Sequence, residues 1–334
     1  MNSDTPREGS ASLSQSRLDR VPASAIIVVI ALLSASVLVG ELPGRPLILH
    51  TLQKLAHPVV FGSIAVMILT LERRRAAVHT LGCYARAFCI TVLLGAATEV
   101  GQLLTHRDPS WRDVLLDARG AACTLLLAAA LDRGCRLTRY ARASAVLLWV
   151  LGTALAATLV APLVWSASAY ASRHARFPIL FIPASRLDIL LVSLTDSSPE
   201  LTLVPTPFSR DRGELGLRVP LTARPYAGIV LDEPSPDWRG FERLRIEVSN
   251  PARAELDLHI RVQDRGHDGM AWDRYEGHAV LAAGQRRWIE IPVSEIESGP
   301  RGRHLDLGHI AALTLYRTGA DGPRELWLHR IELR

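Results

Sequence analysis

Apolar residues crowd the chain from about Pro22 to Tyr170, and beyond that they alternate with polar ones. A spanning helix needs roughly 20 predominantly apolar residues. Five runs meet that need, at about 22–40, 52–71, 80–104, 114–131 and 144–168. The first and fifth are clean, and the middle three carry polar residues. The second half is different: RLRIEVSN, ELDLHIRVQD, HAVLAA, RRWIEIPV, IAALTLYR and ELWLHRIEL alternate apolar and polar positions, with turn residues between them. That pattern marks half-buried strands. The expected fold class is therefore a membrane all-α bundle of about five transmembrane helices, followed by an all-β extracytoplasmic β-sandwich of jelly-roll type. The expected domains are a cytoplasmic tail (1–21), a transmembrane domain (22–168) and an outside sandwich (171–334). The stretch ARFPILFIPASRLDILLVSL fits either a membrane-hugging segment or the first strands, because Arg186 and Asp188 make a sixth span costly. The first run also has the small residues of a signal peptide, but a long polar leader and four further spans weigh against that.

Charge sets the orientation. Arg7, Arg17, Arg20, Arg73, Arg74, Arg75, Arg133, Arg136, Arg139 and Arg142 fall on one side of a five-span alternation, against Arg45, Arg107 and Arg112 on the other. Ten against three predicts a cytoplasmic N-terminus and an extracytoplasmic C-terminal half. The net charge of +5 would suit an anionic partner, yet the arginines are dispersed and Lys54 is the single lysine, so nucleic acid is not expected. The cysteines Cys83, Cys89, Cys123 and Cys135 lie in or beside apolar runs without metal-ligand spacing. Neither a metal nor a cofactor is expected.

In this orientation the polar residues of the middle spans converge near the outer face. They are His57, Glu99, Gln102, Arg107, Asp113 and Asp117, with Lys54, Arg112 and Arg119 nearby. Glu99 and Gln102 share one helix face, as do Asp113 and Asp117. Charges inside a bilayer cost about 2.5–3.5 kcal/mol on insertion scales, so such groups pair in a bundle interior. A hydrogen-bonded cluster of His57, Glu99, Arg107 and Asp113 is expected, forming an outer pocket. The plainer explanation is that paired charges only hold helices together, and it suits Lys54, Arg112 and Arg119 best. His57 and Glu99 are also candidates for acid–base work, although no nucleophile accompanies them.

These residues carry a resemblance. KLAHPVVFG resembles the K-x-x-H-x-x-x-F of the VanZ-like family, through Lys54, His57 and Phe61. EVGQLLTHRDPSWRDVLLDARGA resembles its E-x-x-Q-x-x-x-x-R-x-x-x-x-x-D-x-x-x-N-x-x-G, through Glu99, Gln102, Arg107, Asp113 and Gly120. Asp117 stands where that family has Asn, Thr124 where a small Gly often packs, and Arg119 adds a charge. The likeness covers about residues 25–135. The resemblance implies a bacterial cell-envelope setting, in the inner membrane, related to glycopeptide resistance, with membrane lipids as neighbours, and no particular reaction.

The second half, from about 200 to 334, resembles a galactose-binding-like jelly roll of the kind found in carbohydrate-binding modules. Its R-V-x-D strand end matches at Asp264, and its D-R-[FY] at Asp273, Arg274 and Tyr275. Sugars stack on exposed aromatic faces while polar side chains fix their hydroxyls. The loop DRGHDGMAWDRY offers Asp264, Arg265, His267, Asp268, Trp272, Asp273, Arg274 and Tyr275, and loops on a rigid sheet concentrate binding groups. The plainer alternative is a solvated hairpin. Trp238, Trp288 and Trp327 sit in strand text and are expected in the core. The expected function is recognition of a glycan or another envelope component outside, beside a polar membrane pocket. The alternatives are an intramembrane enzyme acting on a lipid-linked envelope precursor and a scaffold that docks a protein.

Overall fold

The computed structural model describes residues 21–39, 46–75, 81–103, 110–132, 141–195, 201–209, 213–319, 322 and 324–334. Arg107, Arg45, Cys135, the N-terminal arginines and those at 133–139 lie outside the described residues. The chain divides into a helical unit, Met1–Leu163, and a second unit, Val164–Arg334.

The helical unit follows the apolar runs, with shifted ends. Its elements are α1 (Ala23–Val39), α2 (Leu47–Arg75), α3 (Leu81–Gln102), α4 (Trp111–Leu131) and α5 (Ala141–Arg176). The last four are long and apolar enough to cross a membrane, and α1, at 17 residues, is shorter. α2 runs past the expected 52–71 at both ends, finishing in Arg73, Arg74 and Arg75, where cations suit the C-terminal dipole. Exposed apolar side chains such as Val59, Leu93, Val146 and Val164 sit on helix exteriors, as lipid-facing positions would.

α2, α3 and α4 pack around Phe61, Ile64, Ala65, Ala87, Ala121 and Leu125. Small residues set their spacing. A methyl on Gly120 would lie 2.2 Å from the Pro58 carbonyl oxygen, so α4 meets the backbone of α2 there. Thr124 donates to the Gly62 carbonyl at 3.1 Å one turn further on.

The second unit is a sandwich of two antiparallel sheets. Its strands are β1 (Ile179–Phe181), β2 (Val192–Leu194), β3 (Thr202–Pro205), β4 (Leu215–Leu221), β5 (Gly228–Asp232), β6 (Arg243–Ser249), β7 (Leu256–Asp264), β8 (Tyr275–Leu281), β9 (Arg286–Pro292), β10 (Ile310–Tyr316) and β11 (Arg324–Leu333). Short helices α6 (Arg186–Ile189) and α7 (Val293–Glu297) complete it. One sheet runs β3-β4-β11-β6-β9, with β1 also on β11, and the other runs β2-β5-β10-β7-β8. The ambiguous stretch near residue 180 supplies β1, α6 and β2 of the sandwich.

Alternation fills the core, as a two-residue side-chain period requires. Leu217, Val219, Leu244, Ile246, Leu328 and Ile331 of one sheet are buried in the same core as Leu258, Ile260, Val262, Leu313 and Leu315 of the other. Trp238 is fully buried and donates Nε1–H to the Ser235 carbonyl at 2.8 Å. Of the other two tryptophans expected in the core, Trp327 is buried and Trp288 is not. Trp288 is half-buried on the outer sheet face beneath the Arg245 guanidinium, 4.4 Å from its ring. Trp327 is buried on that same outer face, where Gly216 leaves room for the ring.

The fifth helix extends beyond the expected 168 to Arg176, and its polar tail belongs to the sandwich unit. Arg173 donates to the carbonyls of Asp232 and Glu233 at 2.7 Å each, and Tyr170 hydrogen-bonds Glu233. Arg176 pairs with Asp188 at 2.6 Å. The helix stops there because Pro178 disfavours the α conformation at Phe177.

Gly120→Ala is expected to destabilise the helical unit by about 1–3 kcal/mol through overpacking, although alanine is the better helix former. Thermal melts of the detergent-solubilised protein test this. A raised melting temperature would contradict the close α2–α4 contact.

Candidate functional site

The helical unit gathers polar groups at two levels. At one level the start of α2, the end of α3 and the start of α4 bring together His57, Glu99, Gln102 and Asp117, all buried, with Asp113 half-buried. His57 Nδ1 lies 3.3 Å from Asp117 Oδ1. The partner of His57 is thus Asp117 rather than Glu99, because Asp117 faces α2 one turn before the Gly120 contact. Glu99 accepts instead from Gln102 Nε2 at 3.3 Å and from the Ser110 amide at 2.8 Å. Among the described residues Asp117 Oδ2 finds no hydrogen-bond partner, and it points towards Gly95, where a methyl would lie 3.1 Å away. Lys54, Arg112 and Arg119 are exposed, and Arg112 lies over the Trp111 ring.

At the other level Arg73 meets Tyr84 and Asp132, and Arg86 pairs with Glu72 at 2.6 Å. Sixteen residues separate His57 from Arg73, about 24 Å of helix at 1.5 Å per residue. An apolar slab of nearly bilayer thickness therefore lies between two polar belts.

In the sandwich the predicted loop divides into an inward and an outward set. Asp264 and Asp273 are buried, and both are held by Arg303. Its terminal nitrogens reach the two Asp264 oxygens at 2.5 and 2.9 Å, and its Nε pairs with Asp273. The Asp306 amide adds a 2.7 Å bond to Asp264, and the Asp268 amide a 2.8 Å bond to Asp273. Tyr275 is buried and donates to Glu295 at 2.8 Å. These three residues are corrected from the predicted rim to the interior: strand alternation turns Asp264, at the end of β7, and Tyr275, at the start of β8, inward, and Arg303 and the Asp268 amide hold Asp273 of the intervening loop there. Arg274 is half-buried and donates to Glu276 at 2.8 Å. Arg265, Asp268 and Trp272 are exposed, Trp272 by 50%. His267 is half-buried, with Nδ1 2.9 Å from the Asp273 carbonyl oxygen.

The electrostatics follow from Arg303. Its hydrogen bond, then the Asp268 amide, hold Asp273 at about 2. Burial works to raise Asp264, but Arg303 and the Asp306 amide outweigh it and leave this carboxyl below its ordinary value. Burial first, then Glu295, push Tyr275 upward. His267, Asp268 and Asp273 bring possible ligand atoms within 4.8 Å of one another. However, Arg303 already occupies Asp273 with a positive charge, which disfavours a cation there.

Sequence reasoning missed the outward face of the five-stranded sheet. Ser193, Val230, Thr314, Arg261 and Glu276 stand in register across all five strands. In the neighbouring row Gly228, Tyr316, His259 and His278 are paired. His259 stacks on Tyr316 at 5.2 Å, Arg261 lies 4.7 Å over the same ring, and His278 is 6.0 Å from His259. Tyr226, 58% exposed, packs 5.6 Å from Tyr316. Its φ of +65° is a left-handed conformation uncommon for a bulky residue. Gly228 allows this crowding, since a methyl there would lie 2.0 Å from the Leu315 carbonyl oxygen. The alternation in ELDLHIRVQD already placed His259 and Arg261 on one face. The position of Tyr226 beside them is tertiary and had no sequence signal.

No family model matches the chain, and no curated protein matches it. Among solved structures, the chain is similar to an exo-β-agarase at TM-score 0.36 and 14% identity, over 43% of this chain and 23% of that one. It thus spans under a quarter of that agarase. It is also similar to the family 11 carbohydrate-binding module of Clostridium thermocellum in complex with a β-1,3-1,4-mixed-linked tetrasaccharide, at TM-score 0.34 and 15% identity, over 42% of this chain and 86% of that one. A third is the CBM22-1 xylan-binding domain of Paenibacillus barcinonensis Xyn10C, at TM-score 0.30 and 13% identity, over 43% and 84%. Likenesses of this size assign no ligand.

The Arg303 pairs predict a pH signature. Depressed carboxyl values in the folded state contribute stability that is present above the ordinary value, 3.8, and is lost as pH falls towards about 2. Arg303→Gln is expected to lower the melting temperature near neutral pH and to narrow its gap from wild type across that acid window. A gap that stays constant through the window would show that the two aspartates do not depend on Arg303.

Proposed function

We propose that the protein is an integral membrane protein of the bacterial envelope whose outside β-sandwich recognises a glycan. The observation that carries this is the outward face of the five-stranded sheet. An exposed Tyr226, held in a left-handed conformation, packs against the buried Tyr316, which His259 and Arg261 also cover, with the exposed His278 and Glu276 in register beside them. A planar aromatic face stacks on a sugar ring, and fixed polar groups around it accept and donate to hydroxyls. Backbone strain at an exposed aromatic is where binding function concentrates. Trp272, with Arg265, His267 and Asp268, is the second candidate contact, on the loop named from sequence.

The helical unit spans the membrane, with His57, Glu99, Gln102, Asp113 and Asp117 at the outer surface and Arg107 as an expected member of the set. Two polar belts about 24 Å apart and the arginine asymmetry support that orientation. The motifs through Lys54, His57, Phe61, Glu99, Gln102, Arg107, Asp113 and Gly120 support a VanZ-like membrane domain. The buried His57–Asp117 pair favours a second activity, acid–base chemistry on a lipid-linked precursor.

Two experiments test this proposal. Binding of soluble β-glucans, xylan and envelope polysaccharides by the full-length protein in detergent should be saturable. Tyr226→Ala should weaken it about tenfold, the worth of one aromatic contact. Loss in Trp272→Ala alone would move the site to the loop, and no binding at all would sink the glycan assignment. For topology, no native cysteine follows Cys135, so Ala283→Cys, on an exposed turn, supplies a single outside probe. A membrane-impermeant maleimide should label it in intact spheroplasts. Labelling only after permeabilisation would place the sandwich in the cytoplasm.

A further inference from the structure

The six-stranded sheet carries a second concave site on its own outward face. β11 breaks register with β6 between Leu328 and Arg330. Such a bulge inserts an extra residue and re-aims side chains, and bulges recur beside binding sites. The bulged residue is His329, which is buried with Nε2 2.8 Å from Ser249 Oγ. His329 and Arg330 line a cleft of about 290 Å³, with Glu214 and Glu247 as its acidic lining and Leu215 and Ile182 as apolar wall. The volume approaches the lower end of small-ligand sites.

The charges in the cleft are fixed before any ligand arrives. Arg286 bridges Glu214 at 2.6 Å and Glu247 at 3.0 Å and also donates to the Phe208 carbonyl, so it has little left to offer. Arg330 differs: its Nε lies 2.7 Å from Glu332, and among the described residues its two terminal nitrogens make no hydrogen bond. A guanidinium presenting that edge takes a carboxylate by two parallel bonds. Two carboxylates nearby oppose a phosphate or sulfate dianion, but they accept from hydroxyls.

We infer that this cleft binds a sugar acid, a monocarboxylate whose carboxylate sits on Arg330 and whose neighbouring hydroxyls donate to Glu214 and Glu247. The site lies on the sheet opposite Tyr226 and does not depend on the glycan platform there.

Calorimetric titration of the full-length protein in detergent with glucuronate, glucose and L-serine tests it. Saturable glucuronate binding is expected, with glucose weaker by about tenfold for want of the charge-assisted pair. Arg330→Gln should lose about tenfold in affinity, and Tyr226→Ala should leave it unchanged, which separates this site from the platform. Should Arg330→Gln melt early, Arg330→Lys decides, since a point charge without the fork recovers only part of the binding. The inference is overturned if wild type shows no saturable glucuronate binding, if the Arg330 variants bind as wild type does, or if L-serine binds as tightly as glucuronate.

Discussion

A carboxylate removed from water must find a counter-charge or keep its proton, and both halves of this chain are organised around that constraint. In the helical unit Asp117 and Glu99 are buried among apolar helices. Their placement works only because Gly120 lets α4 approach Pro58 closely enough to set Asp117 against His57. In the sandwich, alternation turns Asp264 inside at the end of β7, Asp273 is buried in the loop that follows, and Arg303 reaches back to neutralise both. Glu247 is held in the same way by Arg286. Most of these buried acids report a long-range contact, 60 residues away for His57 and Asp117, whereas Glu99 accepts from nearby Gln102 and the Ser110 amide.

The sequence announced the architecture better than it announced these partners. Apolar length marked the helices and two-residue alternation marked the strands, because both signals are local. Helix ends moved where tertiary contacts extended them, as with α5, whose polar tail follows Arg173 to the carbonyls of Asp232 and Glu233. His57, Glu99, Gln102 and Asp117 were legible as a set because polar residues inside apolar runs stand out. Their pairing was not, since which carboxylate meets His57 depends on the crossing at Gly120.

The loop at 264–275 shows the opposite failure. Its mixture of aspartates and aromatics suggested a rim, but composition says nothing about facing. Asp264, Asp273 and Tyr275 are inward and Trp272 is outward, although Trp272 and Asp273 are adjacent in the loop. Trp288 errs in the same direction: it read as core, yet it lies half-buried on an outer sheet face beneath Arg245, while Trp327 is buried on that face where Gly216 leaves room for its ring. In a sandwich, the outward row is assembled from residues scattered over five strands, and only the strand order brings Tyr226, Tyr316, His259 and His278 together.

Arg303 also changes what the adjoining loop depends on. A loop that folds around a dissociable ion is ordered only to the extent that mass action keeps the ion bound, so its order follows the surrounding concentration. A guanidinium carried on the same chain has no such concentration term, and its local concentration is set by connectivity alone. The geometry that positions Trp272 beside Asp273 is thus supplied with the polypeptide, and it stays the same in dilute or ion-poor surroundings.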